Sequence, residues 1–99
     1  MSLPVVYLRA ARWEFDEAFD WYDRQRPGRG ERFAEAVQAI IDRIAEDPER
    51  HAVVHQGARK VIVPGYPYSV FYQVDADRLV VLSVFHAKRD PQIWRSRIQ

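Results

Sequence analysis

The residue types able to do chemistry crowd the second half of the chain: Arg59 and Lys60, then His86, Lys88 and Arg89 within four positions. A histidine whose ordinary pKa lies near 6.5 serves as general acid or base, and equally serves as a hydrogen-bond partner at a strand end. Arg59 and Arg89 are suited to hold a phosphate or an acidic partner, or to pair with Asp90 or the acidic first helix. Tyr66, Tyr68 and Tyr72 alternate at strand spacing, which suits either stacking on a base or half-buried cross-strand packing. His51 and His55 stand four apart with neither cysteine nor a nearby carboxylate, so no metal site and no cofactor is expected.

These groups sit in a chain of 99 residues, 47% apolar and 29% charged, which suits one globular domain over residues 1–99. The formal charge of +1 hides an asymmetry. Residues 1–49 carry seven basic groups against eleven acidic ones, and residues 50–99 carry eight basic against three acidic. The basic half suits an anionic partner, nucleic acid or an acidic protein segment, although a solvated surface gives similar sums. The absence of cysteine removes disulfides, thiolate metal sites and thiol nucleophiles. No apolar run approaches the roughly 20 residues needed to span a bilayer, and no leader is evident, so the expectation is a cytoplasmic protein.

The elements that must position the candidates follow from periodicity. Leu3–Leu8 reads as a strand. Ala11, Phe15, Ala18 and Tyr22 recur at helical spacing up to Arg26, where Pro27-Gly28 stops them. Phe33, Val37, Ile40, Ile41 and Ile44 form a second, stronger stripe closed by Asp47-Pro48. So short a break makes the two helices an antiparallel hairpin. After a polar stretch at 49–57 the period becomes two: 59–63, 68–75 and 79–86 read as a three-strand meander. The segment 79–85 is apolar on both faces except for Ser83, so it should be central, with its second face open to another occupant. Asp90-Pro91 starts a last short helix anchored by Trp94, most simply a lid on the sheet. The fold class is α+β, ordered β-α-α-β-β-β-α, with an antiparallel sheet and the helical hairpin on one face.

Phe19, Trp21 and Tyr22 in the first helix, Gly28-Arg29-Gly30 before Phe33, Arg59, the run Gly65-Tyr66-Pro67-Tyr68-Ser69-Val70-Phe71-Tyr72, and the ending Val84-Phe85-His86-Ala87-Lys88-Arg89-Asp90-Pro91 with Trp94 and Arg97 resemble the ParE/RelE toxin superfamily. The pattern covers nearly the whole chain and resembles the ParE, or plasmid-stabilisation, branch most. The resemblance implies the toxin half of a type II toxin–antitoxin pair, a cognate antitoxin as partner, and growth arrest when the toxin is free.

The superfamily holds two activities. Its RelE branch cuts messenger RNA in the ribosome, where in-line attack by a 2′-hydroxyl needs a base, several cations and an acid for the leaving oxygen. Arg59, His86 and Arg89 would be the catalytic groups on that reading. That branch commonly carries an arginine where this sequence has Ser69, whereas Tyr66-Pro67-Tyr68 is similar to the ParE branch, whose better-known members poison DNA gyrase by binding. The resemblance therefore implies a gyrase-binding toxin first, a ribosome-dependent endoribonuclease second, and a non-toxic interaction domain third. The surface expected to meet antitoxin or target comprises Arg59, Tyr68, Tyr72, His86, Lys88, Arg89, Trp94 and Arg97, while Trp13 and Trp21, off the main stripe, are candidates for exposed contacts.

Overall fold

The computed structural model describes residues 2–99. Along the chain it contains β1 (Val5–Tyr7), α1 (Arg9–Gln25), α2 (Arg29–Glu46), β2 (Val53–His55), β3 (Ala58–Ile62), β4 (Tyr68–Asp75), β5 (Arg78–His86) and α3 (Gln92–Arg95). The sheet order is β1-β5-β4-β3-β2. The three strands β3-β4-β5 form the expected antiparallel meander and β2 extends it, but β1 joins β5 in parallel, Val5 opposite Leu79 through Tyr7 opposite Val81. A parallel partner needs a long crossover, and the helical hairpin lies within the connection that supplies it.

Strand β2 falls inside the stretch expected to be a polar loop. Val53 and Val54 are β-branched, and Gln56 and Gly57 both adopt positive φ (45° and 84°), the geometry of a two-residue hairpin turn whose twist matches the flanking strands. Polarity masked a Gln-Gly turn there.

The helices separate where Gly28 takes φ 94°, open to glycine at no steric cost. The Asp23 carboxylate closes this turn by accepting the N–H groups of Gly28 and Gly30. Gly30 is where α2 meets α1: a Cβ there would lie 2.8 Å from the Phe19 carbonyl oxygen. Phe33, Val37, Ile41 and Ile44 of α2 then pack with Ala11 and Ala18 of α1 onto Val70, Tyr72, Leu79 and Val81.

The opposite face holds Ala58, Phe71, Val80, Leu82 and Phe85, and it is covered by the chain's own tail. Trp94 stacks on Phe71 with centroids 4.0 Å apart at 15°, flanked by Ile93 and Ile98. This corrects the expectation that the second face lacks an occupant. The thirteen residues after β5 supply one without a third long helix.

Candidate functional site

Strand β5 carries one residue more than its partner between Val81, opposite Tyr72, and Ser83, opposite Phe71. Such a bulge re-aims the backbone beyond it. Strand β1 pairs only as far as Val81, so the next stretch of that edge has no strand beside it. Side chains complete it. Glu14 of α1, only 4% exposed, accepts the Val84 N–H (3.2 Å) and the Ser83 hydroxyl (2.7 Å) on Oε1, while Arg97 Nη1 donates to the Leu82 carbonyl (3.0 Å).

A buried carboxylate is costly unless its charge and lone pairs are met. Arg97 meets both oxygens of Glu14, at 2.8 Å to Oε1 and 3.1 Å to Oε2, and Arg89 Nη1 meets Oε2 at 2.6 Å. Five donors therefore converge on one side chain, joining α1, β5, the turn after it and the C-terminus. Two cations against one carboxylate leave the cluster positive.

Above this network a groove of about 570 Å³ opens between α1 and the ends of β4 and β5. Trp13, Trp21 and Arg24 line it from the helix, and Tyr68, His86 and Arg89 from the sheet. Trp13 and Trp21 are 61% and 50% exposed, large apolar surfaces held in water. Tyr68 lies edge-on to His86, centroids 5.1 Å apart, and burial raises its phenol pKa above the usual 10.0 despite the opposing charge of Arg89. The Lys88 N–H donates to His86 Nδ1 (3.1 Å), so in the neutral ring the proton sits on Nε2.

Three of the expected residues, Tyr68, His86 and Arg89, thus share this groove; Lys88 is exposed just beside it, and Arg97 lies beneath it on Glu14. The others lie elsewhere. Arg59 stands opposite Tyr72, four residues along β4 from the Tyr68–His86 pair, about 13 Å at strand rise. Its Nη1 donates to the carbonyls of Glu49 (3.0 Å) and His51, not to Asp90 or the first helix. The Tyr72 hydroxyl donates to the Pro48 carbonyl (2.6 Å), and burial pushes its pKa up to about 12 against the opposing charge of Arg59. Lys60, Ser69 and Trp94 border a smaller cavity of about 290 Å³. Tyr66 packs edge-on against Tyr22 and Phe33, and the rings of His51 and His55 pack on Tyr72 and Trp94.

Glu14 and Ser83, the centre of the arrangement, were not among the expected site residues. The signals were present: Glu14 lies three residues after Ala11 and four before Ala18 on the buried stripe, and Ser83 is the one hydroxyl in an apolar strand.

Two of the three comparisons with known proteins find matches. A family model described as "ParE toxin of type II toxin-antitoxin system, parDE" matches residues 5–91. A solved structure described as the chromosomal ParDE TA system from P. aeruginosa aligns with a TM-score of 0.75 at 15% identity, covering 86% of this chain and 96% of that one. At that identity the likeness speaks for the fold alone. No curated protein sequence matches the chain.

Proposed function

The chain belongs to the ParE toxin family of type II toxin–antitoxin systems, and from that premise we propose that it arrests growth in the cytoplasm by binding and inhibiting DNA gyrase, with a cognate antitoxin restraining it. One observation carries the choice of a binding mode over cleavage: the arginines that a nuclease would gather round one phosphodiester are committed elsewhere. Arg59 is held by backbone carbonyls about 13 Å along β4 from His86, and Arg89 and Arg97 are held by Glu14. His86 shares the groove with Tyr68, Glu17 and the Glu14-bound Arg89, but Arg59 is not among the residues that line it. In-line attack needs such groups convergent.

What the groove offers instead is anchorage. Exposed Trp13 and Trp21 beside Tyr68 and Arg89 are the residue types on which binding energy concentrates at protein interfaces. No helix among the described residues is long and apolar enough to cross a membrane.

The test sets a gyrase supercoiling assay beside toeprinting of translated messages, using wild-type, His86→Gln and Trp21→Ala proteins. Supercoiling should fall with wild-type and His86→Gln alike, while Trp21→Ala needs about tenfold more protein, the loss of one anchor of roughly 1.4 kcal/mol. Codon-dependent cleavage in the ribosome that disappears in His86→Gln, with supercoiling untouched, would install the nuclease reading. A chain without effect in either assay would favour an inert interaction domain.

A further inference from the structure

The first half of the chain is acidic, yet four of its seven basic residues, Arg24, Arg26, Arg29 and Arg32, fall within nine positions at the tip of the helical hairpin. All four are exposed. Among the described residues their side chains make neither a salt bridge nor a hydrogen bond; the ion pairs found are Arg12–Asp16, Arg78–Asp75 and those of Glu14. Asp23, next to Arg24, is occupied with the N–H groups of Gly28 and Gly30, and Glu31, next to Arg32, is exposed and pairs with none of the four.

Stability does not account for this placement. Arg26, Arg29 and Arg32 surround the start of α2, the end of a helix at which its dipole disfavours cations and favours acids. The side chains also line a concave strip: one hollow of about 220 Å³ contains Arg26, Arg29 and Arg32, and a second of about 410 Å³ shares Arg29 and Arg32 and continues to Tyr66. Guanidinium forks match phosphate oxygens in pairs, and a row of them along a groove follows a backbone that carries a charge at every residue.

We propose that the hairpin tip, through Arg26, Arg29 and Arg32, binds the phosphodiester backbone of duplex DNA without reading its sequence. Arg26, Arg29 and Arg32 lie outside the Trp13–His86 groove, although Tyr22 borders both, and the proposal stands whether or not gyrase is the target of that groove. Duplex DNA is favoured over an acidic peptide because its charges are close, regular and rigidly spaced, whereas a peptide must be ordered before its carboxylates match three fixed cations.

The full chain, made by cell-free synthesis without an antitoxin, is titrated by fluorescence anisotropy against a labelled 20-base-pair duplex of arbitrary sequence. With three phosphates neutralised, a rise from 50 to 200 mM salt should weaken binding about 40-fold, from a slope of roughly 0.9 per contact. Combined Arg26→Glu, Arg29→Glu and Arg32→Glu should weaken it at least tenfold at 50 mM salt. The same charge change placed elsewhere, Arg9→Glu, Arg43→Glu and Arg50→Glu, should weaken it less than threefold. The hairpin-tip variant should remain folded by circular dichroism, since it replaces cations by anions at a helix start; Arg29→Gln with Arg32→Gln supplies a milder version that should lose several-fold. No binding at 50 mM salt, or equal losses in both triple variants, overturns the proposal. Displacement of the duplex by deca-glutamate at equal charge concentration overturns it in favour of an acidic protein partner.

Discussion

At the Tyr68–His86 end of the β4–β5 pair arginines meet a buried carboxylate, whereas at the Tyr72 end an arginine and a phenol meet backbone carbonyls. The acceptors differ in what they demand. A buried charge must be neutralised, so Glu14 draws in Arg89 and Arg97 across 75 and 83 positions of sequence. Neutral carbonyls demand only donors, and those of Glu49 and His51 are met by Arg59 from ten and eight residues away. One end is therefore a long-range clasp that closes the fold, and the other a local tie that shapes a loop.

The largest effect should come from breaking the clasp. Glu14→Gln leaves two guanidinium groups facing a neutral amide, and Arg97 is mostly buried there, its side chain 16% exposed. Removing one partner of such a pair costs about 3–5 kcal/mol; Arg89, more open to solvent, contributes the smaller share. Urea unfolding should show that loss, and hydrogen exchange should show the tail, residues 92–98, losing protection with the edge of β5. Unchanged tail protection would make the two ends alike.

A smaller effect is expected from Tyr72→Phe, about 1–2 kcal/mol at neutral pH, because the partly buried Pro48 carbonyl loses its donor. The same variant has a signature in alkali. Since burial raises the folded-state pKa of Tyr72 from 10.0 to about 12, its protonated form is favoured by folding. That contribution is complete below pH 10 and is lost as pH rises from 10 towards 12, on the order of 2 kcal/mol. Tyr7, Tyr22 and Tyr68 are shifted in the same direction by burial, so the wild-type curve should fall over this range and the Tyr72→Phe curve should fall less. Parallel curves would show that the phenol is not held as described.

The smallest effect should belong to Arg59→Gln. Its bonds to the Glu49 and His51 carbonyls lie at the surface or only partly below it, so roughly 1 kcal/mol is expected, confined to the 48–52 loop. Chemical-shift changes limited to that loop would match a local tie. Changes reaching His86 would join the two ends into one network.

The same contrast explains what was legible in the sequence. The two helices, the meander and the short Trp94 helix follow from periodicity and from Pro and Gly breaks, all local signals. The family resemblance rests on particular residues spaced along those elements, and the family model matches residues 5–91. Strand β2 was hidden because its three residues are too few for a period and its Gln56-Gly57 turn lies in polar surroundings. The parallel joining of β1 and the bulge at Leu82 are facts of register, which no single segment carries. Trp94 is legible as a lid, but that Ile93 and Ile98 beside it suffice to cover the face is not, because side chains in so short a helix carry no period. Glu14 looked like one more acid in an acidic helix, because the groups that justify its burial lie at the other end of the sequence.

That separation has a counterpart in time. A ribosome adds about 5–20 residues per second, so the 83 positions between Glu14 and Arg97 take roughly 4–17 s to synthesise. Throughout that interval the α1 carboxylate exists without its bidentate counter-ion, and over the final 15 positions the Leu82 carbonyl exists without its donor. The groove above them acquires its finished floor only once Arg97 has left the ribosome, which makes a nascent chain short of that residue a different object from one that carries it.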